Sequence, residues 1–375
     1  MSTLRGETIS GDRRALTGPL GVGLAKSHLP SLDGLRAVAA FLVVFYHLGM
    51  NWAPGGLGVL TFFVLSGFLI TWLLLKEEDK SGKISLKLFY IRRSLRIFPA
   101  FYAYWLLVSA ALLLMHKRYV VAQAISSLFY VNNYYQALYG DPDTDFSHTW
   151  SLGVEEQFYL LWPLFFLLLK HTRNRLKFLI AAVVVIALYR EALVFLLHRD
   201  QGYIYEAFDT RADHLLIGCL LAVALRAGVW TDLWRRLCVS WWLSLVTLAL
   251  LAASTALALQ FGSTYRDAAG FVVDPLLVAV LIVQTIAHPA AGFGITLNWG
   301  WMRYLGTISY SVYLYQQVVI GPIRKRLVAW PSFSLLMTIL AVIVAASASY
   351  WIVERPFLRL KKRFETDKTL ATRTG

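Results

Sequence analysis

The stretch Ser31–Leu48 reads SLDGLRAVAAFLVVFYHL and carries Asp33 and Arg36 near one end and His47 near the other. Arg36 and His47 stand eleven residues apart. In a helix that is three turns plus about 20°, so both side chains share one face, roughly 16 Å apart along the axis. An imidazole with an ordinary pKa near 6.5 suits proton transfer from a hydroxyl, and a guanidinium suits an anion. An ionisable group inside a bilayer costs about 2.5–3.5 kcal/mol, so three in one apolar helix call for partners or a polar cavity. Taken singly, Arg36 snorkels to headgroups beside Asp33 and His47 caps the helix; the shared face argues for a joint role.

Further groups fall into four stretches. In FYIRRSLRIFP, Arg92, Arg93 and Arg96 offer forked donors for phosphate oxygens or for anionic lipid, and Pro99 reads as a helix start. In TWSLGVEEQFY, after Trp150, Ser151 reads as an N-cap, and Glu155 is expected at the depth of His47, to orient the imidazole or hold an acceptor hydroxyl. Arg211 and Asp213 of RADH, and the pair Arg190–Glu191, read as internal ion pairs, structural in the second case. Ser309, Tyr310 and Tyr313 form a polar stripe at helical spacing, and Ser66-Gly67 allows close approach of a helix or a ligand. Residues 131–139, VNNYYQALY, with Asp141, Asp143 and Asp145, would suit a carbohydrate, although an aromatic interface belt is the simpler reading.

These groups must be positioned by membrane helices. The 375 residues are 58% hydrophobic with mean hydropathy +0.57 and include 13 Trp, 19 Tyr and 22 Phe, more than a water-exposed surface would tolerate. The expectation is an all-α polytopic protein with ten spans near 31–49, 57–75, 97–115, 151–169, 178–197, 211–227, 239–260, 270–287, 303–320 and 333–353. A loose tail (1–29) would precede the membrane core (30–357), and a basic tail (358–375) would follow it. With both termini cytoplasmic, inner segments collect 26 of the 36 Lys and Arg residues, which explains the +14 charge without nucleic acid. Lys117, Arg118 and the run Arg324-Lys325-Arg326 would face outward, the last fitting the rule poorly. Cys219 and Cys238 form neither a metal-ligand spacing nor a disulfide framework, so no metal is expected. No repeat relates the two halves, which weakens a transporter built on inverted repeats.

Taken together, Arg36-x10-His47, FFVLSGF, RRSLRIFPAFY, TWSLGVEEQFY, RADHLLIG, LGTISYSVYLY and the closing Glu354-Arg355-Pro356-Phe357 resemble, in order, the acyltransferase-three family of bacterial integral membrane O-acyltransferases. The resemblance spans Ser31 to Phe357. It implies a ten-helix core in the cell membrane that moves an acyl group, usually acetyl, from cytoplasmic acyl-coenzyme A to a hydroxyl of a sugar or glycosylated product. The donor would be a co-substrate, with no permanently bound cofactor. His47 would match the family's catalytic histidine, Arg36 its paired basic residue, and Arg92, Arg93 and Arg96 the coenzyme A cluster. Glu155 would join the catalytic group, and Ser66, Trp150, Arg211, Asp213, Ser309, Tyr310 and Tyr313 the substrate site. Gln316 stands where relatives often carry His, so that position is assigned no catalytic part. His47 acting as base and an acyl-histidine route both fit the sequence. A polytopic transporter or flippase using the same charged residues as a path is the competing class.

Overall fold

The computed structural model describes residues 18–26, 28–50, 52–116, 119–326 and 330–364, with only the backbone of Lys325, Arg326 and Pro331. Among the described residues there is helix and no strand. The helices, in order, are α1 (Pro19–Ala25), α2 (Pro30–His47), α3 (Gly55–Ser81), α4 (Leu86–Leu114), α5 (Val121–Leu128), α6 (Asn132–Tyr139), α7 (Trp150–Leu168), α8 (Thr172–Phe195) and α9 (Gln201–Glu206). They continue as α10 (Phe208–Ala227), α11 (Thr231–Leu237), α12 (Leu243–Tyr265), α13 (Phe271–Ala287), α14 (Phe293–Leu297), α15 (Gly300–Thr307), α16 (Ser309–Arg326), α17 (Pro331–Ser349) and α18 (Arg355–Lys361).

Five helical stretches are long and apolar enough to cross a membrane: 55–81, 86–114, 172–195, 243–287 and 332–364. The bent pairs α1 with α2, and 201–227 with α11, bring the number to seven. All ten expected segments fall on helices, but several are too short, polar or broken to pass on length and apolarity alone. The segment 303–320, for example, is divided at Ile308 between α15 and α16. Within the expected tail, residues 1–17 lie outside the described residues, whereas Pro19–Ala25 is helical with Leu20 and Leu24 buried. Lys117 and Arg118, and residues 365–375 of the second tail, also lie outside them.

The centre is α3, whose closest neighbour is α10. Small residues set that approach. A Cβ on Gly67 would lie 1.9 Å from the Leu215 carbonyl oxygen, and one on Gly218 would lie 2.1 Å from that of Val64. Backbone thus meets backbone, as apolar helices in lipid require when solvent exclusion does not drive them together. The same device seats α2 on its neighbours: Gly306 meets the Asp33 carbonyl, and Gly34 the Leu297 carbonyl. Ser66 and Gly67 therefore divide their work, the glycine serving α10 and the serine facing Glu155 of α7.

Pro99 does not start a helix. Ser85 caps α4 by accepting the Leu88 N–H at 3.3 Å, and the helix runs through Pro99 to Leu114. The arginine cluster therefore sits on the first turns of a long helix rather than on a separate inner segment. The 119–149 segment uses its own polar groups. Asp141 accepts from Gln123, Gln136 and Ser147, and Asn132 donates to Phe146 O and Thr149. Burial pushes the Tyr134 phenol up to about 12, keeping it a donor to Asp209 at 3.0 Å. The Asp141 carboxylate and the amides that would have suited a carbohydrate are thus committed to folding this segment.

Candidate active site

A cavity of about 560 Å³ lies among α2, α3, α4, α7 and α16. It gathers eight of the thirteen candidate residues: Arg36, Ser66, Arg93, Arg96, Glu155, Ser309, Tyr310 and Tyr313. The Arg93 guanidinium stacks 3.6 Å from the Tyr159 ring centroid. Among the described residues none of the three cavity arginines is in an ion pair, and Arg93 Nε has no hydrogen-bond partner. Arg36 and Arg93 act electrostatically on Glu155, and Arg36 and Arg96 on Glu354. Each carboxylate is held by a hydroxyl instead. Ser66 Oγ donates to Glu155 Oε1 at 2.6 Å, and Ser311 Oγ to Glu354 Oε1 at 2.5 Å. Forked cations facing open space, with Glu155 and Glu354 bonded to hydroxyls, have the chemistry to take an anion.

Five candidates are placed elsewhere. Arg92 turns from the cavity to Glu77 at 2.5 Å and to the Phe364 carbonyl at 3.2 Å. His47 is half-buried at the end of α2 and is not part of the cavity wall. Its Nδ1 donates to the Val43 carbonyl at 2.9 Å, and the Gln317 amide donates to its Nε2 at 3.3 Å. Gln317 Oε1 in turn accepts from His148 Nδ1 at 2.9 Å. Between this chain and the cavity stands Tyr313, whose hydroxyl donates to the His148 carbonyl at 2.9 Å and is also hydrogen-bonded to Ser151. Ser151 therefore partners Tyr313 rather than capping α7, where the N-cap residue is Thr149. Glu155, expected beside the imidazole, instead shares the cavity with Arg36, because α7 brings it against Ser66 in the middle of α3.

Arg211, Asp213 and Trp150 belong to a second cluster. Arg211 is fully buried, with its guanidinium 3.9 Å from the Phe271 ring centroid and 5.0, 5.8 and 5.9 Å from those of Tyr205, Phe63 and Trp150. Among the described residues none of its three side-chain nitrogens has a hydrogen-bond partner. Asp213 pairs with Arg190 at 2.8 Å, which corrects both the Arg190–Glu191 pairing and an Arg211–Asp213 pairing. Arg190 also donates to the carbonyls of Thr210 and Phe271, so this long-range contact ties α8 to α10.

Sequence reasoning missed Glu156, Tyr159 and Glu354 in the cavity wall, and Gln317 and His148 beside His47. Glu354 had a signal, as an acid closing an apolar stretch. His148 and Gln317 had none, since they meet only through tertiary packing. Among the described residues no group of His, Cys, Asp and Glu could hold a metal.

The model of the family described as an acyltransferase domain matches residues 29–354. The chain is 33% identical over 355 residues to the peptidoglycan O-acetyltransferase OatA of Listeria monocytogenes, covering 88% of this chain and 56% of that protein. It is 32% identical to the putative peptidoglycan O-acetyltransferase YrhL of Bacillus subtilis, covering 88% and 55%, and 31% identical to a putative O-acetyltransferase of Staphylococcus aureus, covering 88% and 57%. The chain thus spans little more than half the length of these relatives. No solved structure matches it. A family match over nearly the whole membrane core, together with relatives at this identity, leads to one conclusion: the chain belongs to the acyltransferase family described by that domain.

Proposed function

We propose that the chain transfers an acyl group, acetyl in the first instance, from a coenzyme A thioester to a hydroxyl of a carbohydrate. It would do so from a ten-span core in the cell membrane with both termini cytoplasmic. The names of the relatives support a carbohydrate acceptor, and the cavity supports the donor. The single observation that carries the reading is the trio Arg36, Arg93 and Arg96 facing one cavity without an ion pair. Phosphates of the donor would lie on these guanidiniums, and the pantetheine arm would run along the cavity toward Ser151 and Tyr313. Tyr313 must turn aside for the thioester to meet His47. There His47 Nε2 takes the proton of the acceptor hydroxyl as its oxygen attacks the thioester carbonyl. The C–O bond forms, the C–S bond breaks, and the proton passes to the departing thiolate.

The test is purified protein in proteoliposomes given radiolabelled acetyl-coenzyme A and peptidoglycan fragments. Thiol release that depends on the acceptor, is abolished in His47→Ala and is weakened in Arg93→Gln supports the reading. Movement of a glycan without thiol release would mark a transporter instead, and an active His47→Ala would remove the base.

A further inference from the structure

We propose that Gln317 and His148 form a positioning chain that presents His47 Nε2 as the proton acceptor and makes its charged form short-lived. The proposal rests on the reading of His47 as the base. The Val43 carbonyl can only accept, so the proton of neutral His47 is on Nδ1 and the lone pair on Nε2. With the Gln317 amide N–H turned to that lone pair, its carbonyl faces His148 Nδ1, which must then carry a proton of its own. In each of these three contacts a donor meets an acceptor. Flipping the amide would set carbonyl against lone pair at His47 and N–H against N–H at His148.

His148 has no freedom to adapt. The residue is 3% exposed, its ring lies edge-on to Tyr104 and Tyr313 at 5.6 and 5.4 Å, and its backbone carbonyl is taken by Tyr313. An acceptor hydroxyl takes the place of the amide at Nε2; once His47 holds its proton and the acceptor oxygen has moved to the thioester carbonyl, Nε2–H meets the returning amide donor to donor. Relief requires the amide to flip and His148 to move its proton to Nε2, which makes no hydrogen bond among the described residues, the Leu314 carbonyl being the weakest influence on the ring. A poorly matched buried donor is costly, so the imidazolium returns its proton to the thiolate rather than keeping it. The other ionisable groups facing this end of α2 are Tyr46 beside the ring, Asp143 from the 119–149 segment, and Arg324 of α16 over Gly49. The buried Gln316 amide, next to Gln317 on α16, also acts on the His47 ring.

Two variants of similar length and one spectrum test the proposal. Gln317→Met removes the donor and should lower kcat roughly tenfold with the donor KM unchanged, a fraction of what a general base contributes. Gln317→Glu offers a carboxylate to the imidazolium, so the acid limb of the kcat profile should move to higher pH. In ¹⁵N-histidine spectra, His47 should be the Nδ1–H tautomer in the wild type, with its Nε2 signal shifted in Gln317→Met. Wild-type kcat, pH profile and Nε2 signal in both variants would overturn the proposal. If Gln317→Met does not fold, the isosteric Gln317→Glu carries the same test. An active His47→Ala would defeat the base reading alone, because the tautomer measurement still reports on the chain.

Discussion

Arg36, Arg93 and Arg96 look onto about 560 Å³ of open space, whereas Arg190 and Arg211 are fully buried outside that cavity, Arg211 against Phe63. Both regions place guanidiniums within apolar helices. In the second cluster Asp213 pairs with Arg190, and four aromatic rings surround Arg211. In the cavity, among the described residues, only Tyr159 lies against an arginine, and Glu155 and Glu354 are bonded to serines. A buried cation completed by its own protein holds helices together; one left facing space awaits an anion. Burial and charge alone do not separate the two roles, but the presence or absence of room beside the guanidinium does.

The comparison can be broken most forcefully at Arg190. Arg190→Met strands the Asp213 carboxylate and should cost about 3–5 kcal/mol, read as a large fall in Tm or a loss of monodisperse protein in fluorescence-detected size exclusion. Adding Asp213→Leu should recover most of that loss, since a buried pair exchanged for apolar residues is often neutral. Next, Arg93→Gln and Arg96→Gln should leave Tm nearly unchanged while weakening a non-hydrolysable acyl-coenzyme A analogue. At about 1.5–3 kcal/mol per charged hydrogen bond, calorimetry should show a ten- to hundredfold rise in Kd. A stability loss as large as that of Arg190→Met would erase the distinction between the regions.

Arg211→Met sharpens it further. Removing three unpartnered buried nitrogens offsets the lost ring interactions, each up to about 2 kcal/mol, so thermal unfolding should shift by less than about 1 kcal/mol. A large destabilisation would show that the rings alone compensate the charge. The smallest effect belongs to Arg92→Gln, which breaks a pair at the margin of the fold. It should cost about 1 kcal/mol or less and leave donor affinity within twofold in the same titration.

The helix face carrying Arg36, the approach allowed by Gly67 and the placement of Arg93 and Arg96 on one wall were legible because each depends on spacing along one helix. Arg92 was not, because Glu77, on the preceding helix, draws it aside. The separation of His47 from the cavity was also hidden. Angular periodicity says which way a side chain points, but not that Tyr313 and Ser151, from two other helices, stand in between. Glu155 failed for a related reason: its depth depends on where α7 begins, and neither Trp150 nor Ser151 fixes that locally. The Arg190–Asp213 pair crosses 23 positions and was outcompeted in sequence by the adjacent Glu191.

Tyr350–Glu354 forms a π turn between α17 and α18, one of the wide turns that hold a residue more than an α-helix needs. Removing one residue there would let the helix close regularly and rotate α18 by about 100° relative to α17. Glu354 would then swing off Ser311, although no chemical group had been deleted. A chimaera joined through this stretch must therefore preserve its residue count before its composition.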